Sequence, residues 1–256
     1  MRPRREEDVF TQLNYSGWCP HCGDVHGLAA DDALDEARRL MLDLEHHRRV
    51  DFAVADDQAD PRFSTEYLFG PARGHMFGVL TGTDASGARC VLRAFSGQYN
   101  GCWQVEGWAP PLFDLEPFEA LAVPGDAAIK ALGRRIQALP SSDPERNDLV
   151  RERRTLSRRL MKELHALYLL HNFRGNTAPL TDFFPHDKGI PTGAGDCCAP
   201  KLLNQAARLN IRPAGLAEFY WGRENASATR VHAQYYSSCR EKCYPILGFL
   251  LCGAGS

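Results

Sequence analysis

The chain has 256 residues, of which 44% are hydrophobic and 24% are charged, and its formal net charge is -2. This composition predicts a globular protein with a full hydrophobic core and excludes a disordered chain. The near-neutral charge argues against a broad electrostatic surface for nucleic acid, although local basic patches are compatible with it.

Neither a membrane span nor a secretory leader is expected. The sequence has no apolar run of about 18 residues, so we predict no membrane association. The segment at residues 1–7 is charged and no apolar stretch follows it, which indicates a cytoplasmic protein without a signal peptide. Nine cysteines in a reducing compartment favour metal binding or catalysis over a disulfide framework.

The first motif along the chain is Cys19-Pro-His-Cys22-Gly-Asp-Val-His26. Cys-x-x-Cys-Gly is typical of a zinc knuckle, but a structural zinc site needs four ligands. Cys19, Cys22 and His26 supply three at most, so a surface turn before a helix is the alternative. That helix is predicted over residues 29–50 from apolar residues at spacings of three and four.

A β-hairpin is predicted next, with strands at residues 76–80 and 90–95 around a turn-rich stretch. It completes an N-terminal α+β sub-region, residues 1–125. A helical hairpin over residues 126–175 follows, with helices at 126–139 and 148–172 on either side of a Pro-Ser-Ser-Asp-Pro break.

The second helix of this helical hairpin carries a basic face. Arg151, Arg154, Arg158 and Lys162 recur at helical spacing. Such a face could contact RNA phosphates, and a solvated charged face is the alternative interpretation.

The third sub-region, residues 176–256, concentrates the reactive side chains. Asp196, Cys197 and Cys198 precede a predicted helix at 199–209, so one of the two thiols lies at a helix N-terminus, where the dipole favours a thiolate. A strand at 216–222 contains Glu218. His232 follows, and then Cys239 and Cys243 before a final predicted helix at 244–252.

One hypothesis is a zinc site formed by Cys197, Cys239 and Cys243. Zinc nucleobase deaminases place a His or Cys at one helix start, a Glu two residues later, and Cys-x-x-Cys at a second helix start. Here the pair is Cys-x3-Cys and Ala199 occupies the Glu position, so Asp196 or Glu218 would have to substitute. Three ligands would leave a position open to water, whereas a fourth ligand, Cys198 or His232, would make the site structural.

A second hypothesis is a cysteine nucleophile. Gly-Asp-Cys at a helix start, then a strand and a His, resembles transglutaminase-like and papain-like cores, and this would pair Cys197 with His232 as a hydrolase or transferase. A third is a non-catalytic zinc module that binds RNA through the basic helix.

The chain also resembles the N-terminal extension of long bacterial RluA-type pseudouridine synthases. The matching stretches are Gly195 to Leu203, Ala217 to Gly222 and Tyr236 to Leu247. The resemblance implies a role near RNA modification, with RNA or a nucleotide-like substrate and a pseudouridine synthase as partners. It does not imply pseudouridine synthesis, because the synthase domain lies downstream in that family. Cys197, Cys239, Cys243 and His232 match its pattern.

Together these features predict a single α+β domain. Its small mixed or antiparallel sheet would combine the β-hairpin with the 216–222 strand, and its C-terminal helices would carry the cysteines, as in a deaminase-like core. The cofactor we expect is zinc.

Overall fold

The computed structural model describes residues 13–185 and 189–255, so the charged segment at residues 1–7 lies outside the described residues. The described part has the predicted α+β class, with five α-helices and three small antiparallel sheets. The strands are β1 (Asn14–Cys19), β2 (Asp24–Ala29), β3 (His75–Thr83), β4 (Arg89–Phe95), β5 (Leu169–His171), β6 (Thr177–Pro179) and β7 (Arg212–Trp221). The helices are α1 (Ala33–His47), α2 (Leu115–Ala138), α3 (Pro144–His165), α4 (Cys198–Arg208) and α5 (Tyr244–Leu250).

The chain forms two compact units. Of the described residues, one unit comprises 13–112, 170–178, 183–185 and 189–255, and the other comprises 113–169 and 179–182. The predicted single domain and its division near residues 125 and 175 stay predictions.

The main sheet of the first unit has the strand order β4-β3-β7. β3 is antiparallel to both neighbours, so Gly78 lies opposite Ala94 on one side and opposite Glu218 on the other. The predicted β-hairpin and the predicted 216–222 strand therefore do meet in one sheet. Apolar residues of α1, among them Leu40 and Leu44, pack with Phe77 and Phe219 of the sheet in the buried core.

Helix α1 is shorter than the predicted helix at residues 29–50. Residues 24–29 pair with β1 as an antiparallel hairpin instead, so the helix cannot begin before Ala33. At its other end Arg48 takes the left-handed conformation (φ 53°), and its N–H donates to the Leu44 carbonyl, which ends the helix. The Cys19–His26 motif thus lies on a β-hairpin and not in a turn before a helix.

The second unit is built on the predicted helical hairpin, whose bounds differ. α2 begins at Leu115 and continues through Pro124, although proline normally ends a helix. Leu160 of α3 fills the space over the adjacent Gly125, so the two helices pack closely where a larger residue would clash. α3 ends at His165, and residues 169–171 form β5 where the helix was predicted to continue.

No helix in the described part of the chain is long and apolar enough to cross a membrane.

Candidate metal centre

Helix α4 begins beside the middle strand of the sheet. Cys197 is its N-cap residue and Cys198 its first helical residue. A Cβ at Gly78 would lie 2.7 Å from the Cys198 Cβ, so glycine at this position allows α4 to approach β3. The Cys198 thiol is fully buried and donates to the Met76 carbonyl at 3.4 Å. Of the two adjacent thiols, Cys197 is therefore the one left to face the other cysteines.

The segment before α5 supplies the other two thiols. Cys243 is the N-cap residue of α5, and Pro245 occupies its first turn. The N–H groups of Cys243 and Tyr244 donate to the Cys239 carbonyl at 3.3 and 3.2 Å, which closes one turn of chain between the two cysteines. This turn brings their sulfurs to 3.5 Å from each other, so the Cys-x3-Cys motif forms a close pair of thiols.

The sulfurs of Cys197, Cys239 and Cys243 all lie within 4.8 Å of one another and could hold a metal ion. Four-coordinate zinc with Zn–S bonds of about 2.3 Å would separate its sulfurs by about 3.8 Å. Hydrogen bonding with Cys197 and Cys243 lowers the pKa of Cys239 to about 2, while hydrogen bonding raises the pKa of Cys197 and of Cys243. A divalent cation bound among them would stabilise the thiolate form of all three.

Glu218 lies against this cluster, on β7. It is only 4% exposed, and its Oε1 accepts the Ala199 N–H at 2.7 Å. Ala199 is the residue two positions after Cys197, so the Glu218 carboxylate is held at the first turn of α4, close to the Cys197 thiol in the chain. Burial raises the pKa of Glu218 to about 7.

Lys201 is a residue of this region that the sequence analysis missed. Its side chain is buried, and Nζ donates to the carbonyls of Phe95 at 3.0 Å and Gly97 at 2.8 Å. The Gly97 N–H in turn donates to the Asp196 carbonyl at 2.7 Å. Lys201 therefore fixes the loop that holds the residue before Cys197. The sequence feature that could have identified it is a lysine at the fourth position of a helix that begins with a cysteine.

A cavity of about 410 Å³ opens at Cys239. Its walls are mostly polar, with Asn14 and Ser16 of β1 on one side and Ser238 and Arg240 on the other. Cys239 is partly exposed, whereas Cys243 is buried. The cluster is thus accessible from one side, next to hydrogen-bonding groups that suit a small polar molecule.

His232 and Asp196 do not belong to the three-sulfur cluster. The His232 Nδ1 accepts the Gly222 N–H at 3.1 Å, and its ring packs against Trp221 at a centroid distance of 4.3 Å and against Phe69 at 5.4 Å. It lines a different cleft, with Arg48 and Glu66. The structure gives no support to a Cys197–His232 dyad.

Cys19, Cys22 and His26 do lie together, and Cys252, which follows α5, joins them. In the second unit, Arg151, Arg154, Arg158 and Lys162 are all exposed along α3, and Arg151 forms an ion pair with Asp148. Their contact with RNA stays a prediction.

Comparison of the chain with protein-family models, with curated proteins and with solved structures gave no significant match. The likeness to the extension of pseudouridine synthases therefore stays an expectation from sequence motifs.

Proposed function

We propose that the protein is a zinc-dependent hydrolase of the deaminase type, acting on a nucleobase or a similar amidine in the setting of RNA modification, beside a pseudouridine synthase. The observation that carries the proposal is the convergence of Cys197, Cys239 and Cys243 next to the buried carboxylate of Glu218. Each part of this arrangement has a chemical role in such a reaction.

The ligand set suits a catalytic metal. Three protein ligands leave one tetrahedral position for water or substrate, as catalytic zinc sites require. The cavity at Cys239 provides access to that side of the cluster. Zinc bound there would lower the pKa of water toward neutrality and so supply a hydroxide nucleophile.

Glu218 would move the protons. In hydrolytic deamination water adds to the carbon that bears the amine, and one of its protons passes to the ring nitrogen. The remaining hydroxyl proton then passes to the amine, the C–N bond breaks, and ammonia leaves as the carbonyl forms. A carboxylate beside the metal ligands can take the first proton and deliver the second. The Ala199 N–H holds one oxygen of Glu218 in place, which limits the rotation of the carboxylate.

The test combines metal content with product release. Protein purified without added metal would be compared with Cys239→Ser and with the matched control Cys90→Ser, since Cys90 lies outside both cysteine clusters. We expect the cluster zinc to be lost only in Cys239→Ser. We also expect ammonia release from cytidine, adenosine or guanosine, free or in single-stranded RNA, to be lost with it. Unchanged zinc in Cys239→Ser, or zinc without ammonia from any of these substrates, would overturn the proposal.

A non-catalytic RNA-binding role is the second candidate. The exposed basic residues of α3 favour it, because they are accessible to a phosphate backbone. In that case the zinc cluster would only stabilise the fold. RNA binding by a metal-loaded protein without ammonia release would support this alternative.

A further inference from the structure

A second group of metal-binding side chains lies on the β1–β2 hairpin. Cys19 ends β1 and pairs with Asp24, and the Gly23 N–H donates to the Cys19 carbonyl at 3.0 Å to close the turn. Gly23 has φ +71°, a conformation that glycine adopts without strain. The turn places the Cys22 sulfur 3.0 Å from Nε2 of His26.

A fourth side chain reaches the hairpin from the other end of the sequence. Cys252 follows α5, and its sulfur lies 3.8 Å from that of Cys22. The ligand atoms of Cys19, Cys22, His26 and Cys252 all lie within 4.8 Å of one another. These separations suit a tetrahedral zinc ion, whose sulfurs lie about 3.8 Å apart.

We propose that Cys19, Cys22, His26 and Cys252 bind a second zinc ion, in a closed structural site of the Cys3His type. Four protein ligands complete the tetrahedron and leave no position for water, unlike the three ligands of the first cluster. Cys19 and Cys252 are buried, so the ion would be enclosed on that side.

The site would fix the helix that carries part of the first cluster. Cys243 precedes α5 and Cys252 follows it, so the two clusters lie at opposite ends of this helix. Between them α5 packs directly on β1: a Cβ at Gly248 would lie 2.3 Å from the Trp18 carbonyl oxygen. The second zinc would therefore hold α5 on the hairpin. It does not depend on the proposed hydrolase activity.

Counting zinc ions by native mass spectrometry tests the proposal. We expect two ions in the unchanged protein and in Cys90→Ser, one in the double variant Cys22→Ser/Cys252→Ser, and one in Cys239→Ser. One ion in the unchanged protein, lost in Cys239→Ser and kept in the double variant, would overturn the second site and leave the proposed function standing. One ion with the opposite pattern would support the second site and remove the catalytic one.

A second pair of variants guards against loss of metal through misfolding. His26→Cys keeps four ligands and should retain both ions, whereas His26→Ala should lose the second ion or bind it at least tenfold more weakly. Cobalt(II) in place of zinc should give thiolate charge-transfer absorption that decreases in the double variant and persists in His26→Cys. A folded protein with one zinc and a mass two daltons lower, from a disulfide among Cys19, Cys22 and Cys252, would overturn the proposal.

Discussion

Gly17 and Gly248 bring a strand and a helix into direct backbone contact. A Cβ added at Gly17 would lie 2.3 Å from the Gly248 nitrogen and 2.3 Å from the Tyr244 carbonyl oxygen. Because both obstacles are backbone atoms, no side-chain movement can make room. The distance between β1 and α5 is therefore set by two residues without side chains.

Gly248→Ala should destabilise the protein and weaken both metal sites. The added methyl group meets the backbone at residues 18 and 19, so α5 must move away from β1, at a cost of about 1–3 kcal/mol or more. Urea unfolding and zinc titration measure the two effects. Gly133→Ala on α2 is the matched control, since its Cβ has no neighbour closer than 3.8 Å and alanine favours a helix. Equal stability of Gly248→Ala and the unchanged protein would contradict the close packing.

Glu218→Gln should keep zinc and lose activity. The amide oxygen can still accept the Ala199 N–H, but an amide cannot carry protons, so a decrease of about 10²- to 10⁴-fold in the rate of ammonia release is expected. Glu218→Ala should in addition lose about 1–3 kcal/mol of stability, because a buried N–H loses its partner. Glu241→Gln, at an exposed acid between the two paired cysteines, is the control. Full activity of Glu218→Gln would limit Glu218 to a structural role.

His232→Ala should leave the chemistry of Cys197 unchanged. The His232 ring is held by the Gly222 N–H and by Trp221, outside the three-sulfur cluster. Labelling of Cys197 by iodoacetamide in metal-free protein, followed by peptide mass spectrometry, should proceed within about twofold of the original rate. A large decrease would restore the cysteine-nucleophile hypothesis. Cys239→Ser should change the labelling rate instead, because it removes a hydrogen-bonding neighbour of Cys197.

The double variant Arg154→Glu/Arg158→Glu should weaken RNA binding if α3 contacts phosphates. Both side chains are exposed, and each arginine that no longer binds a phosphate should reduce the salt dependence of binding by about one ion. Fluorescence anisotropy with a single-stranded RNA at several salt concentrations measures this. The double variant Arg38→Glu/Arg39→Glu on α1, which changes two exposed arginines in the same way, is the control for net charge. Unchanged binding at low salt would exclude this face.

Because His75 is buried as a neutral ring, the free energy of unfolding should decrease in mild acid. Burial lowers the pKa of His75 to about 4 in the folded protein, against an ordinary value of 6.5, so the unfolded chain takes up a proton first. Stability from the neutral ring is therefore complete above pH 6.5 and is lost as the pH falls toward 4, by up to about 3 kcal/mol. His75→Gln should reduce this loss in urea unfolding at pH 7 and pH 4.5. The same dependence of unfolding free energy on pH in the unchanged protein and in His75→Gln would contradict this prediction. Release of metal in acid cannot explain a difference between them, because it affects both proteins equally.

Local patterns predicted the sheet and the first cluster well. Short runs of β-forming residues around a turn-rich stretch predicted β3 and β4, a further short run predicted β7, and cysteines beside helix starts marked Cys197, Cys239 and Cys243. These signals are short in range. Turn residues and helix N-termini act within a few positions, so their effect can be inferred from adjacent sequence.

Contacts that join distant parts of the chain could not be predicted in this way. Cys252 looks like an ordinary small apolar residue next to its neighbours, and only the fold brings it to Cys22. The helix predicted at 126–139 in fact begins at Leu115 and continues through Pro124, where Leu160 of the other helix packs over Gly125. In the same way Glu218 sits on a strand, far in sequence from the Ala199 N–H that it binds.

The β1–β2 hairpin depends on residues that the ribosome adds much later. Its partners lie far along the chain: the Tyr15 hydroxyl donates to the Tyr236 carbonyl, and Cys22 meets Cys252 across 230 positions. A nascent chain leaving the ribosome would therefore carry Cys19 and Cys22 without their partners until nearly all of the described sequence has emerged. Closing so long a loop is therefore the entropically costly step in completing this group of side chains.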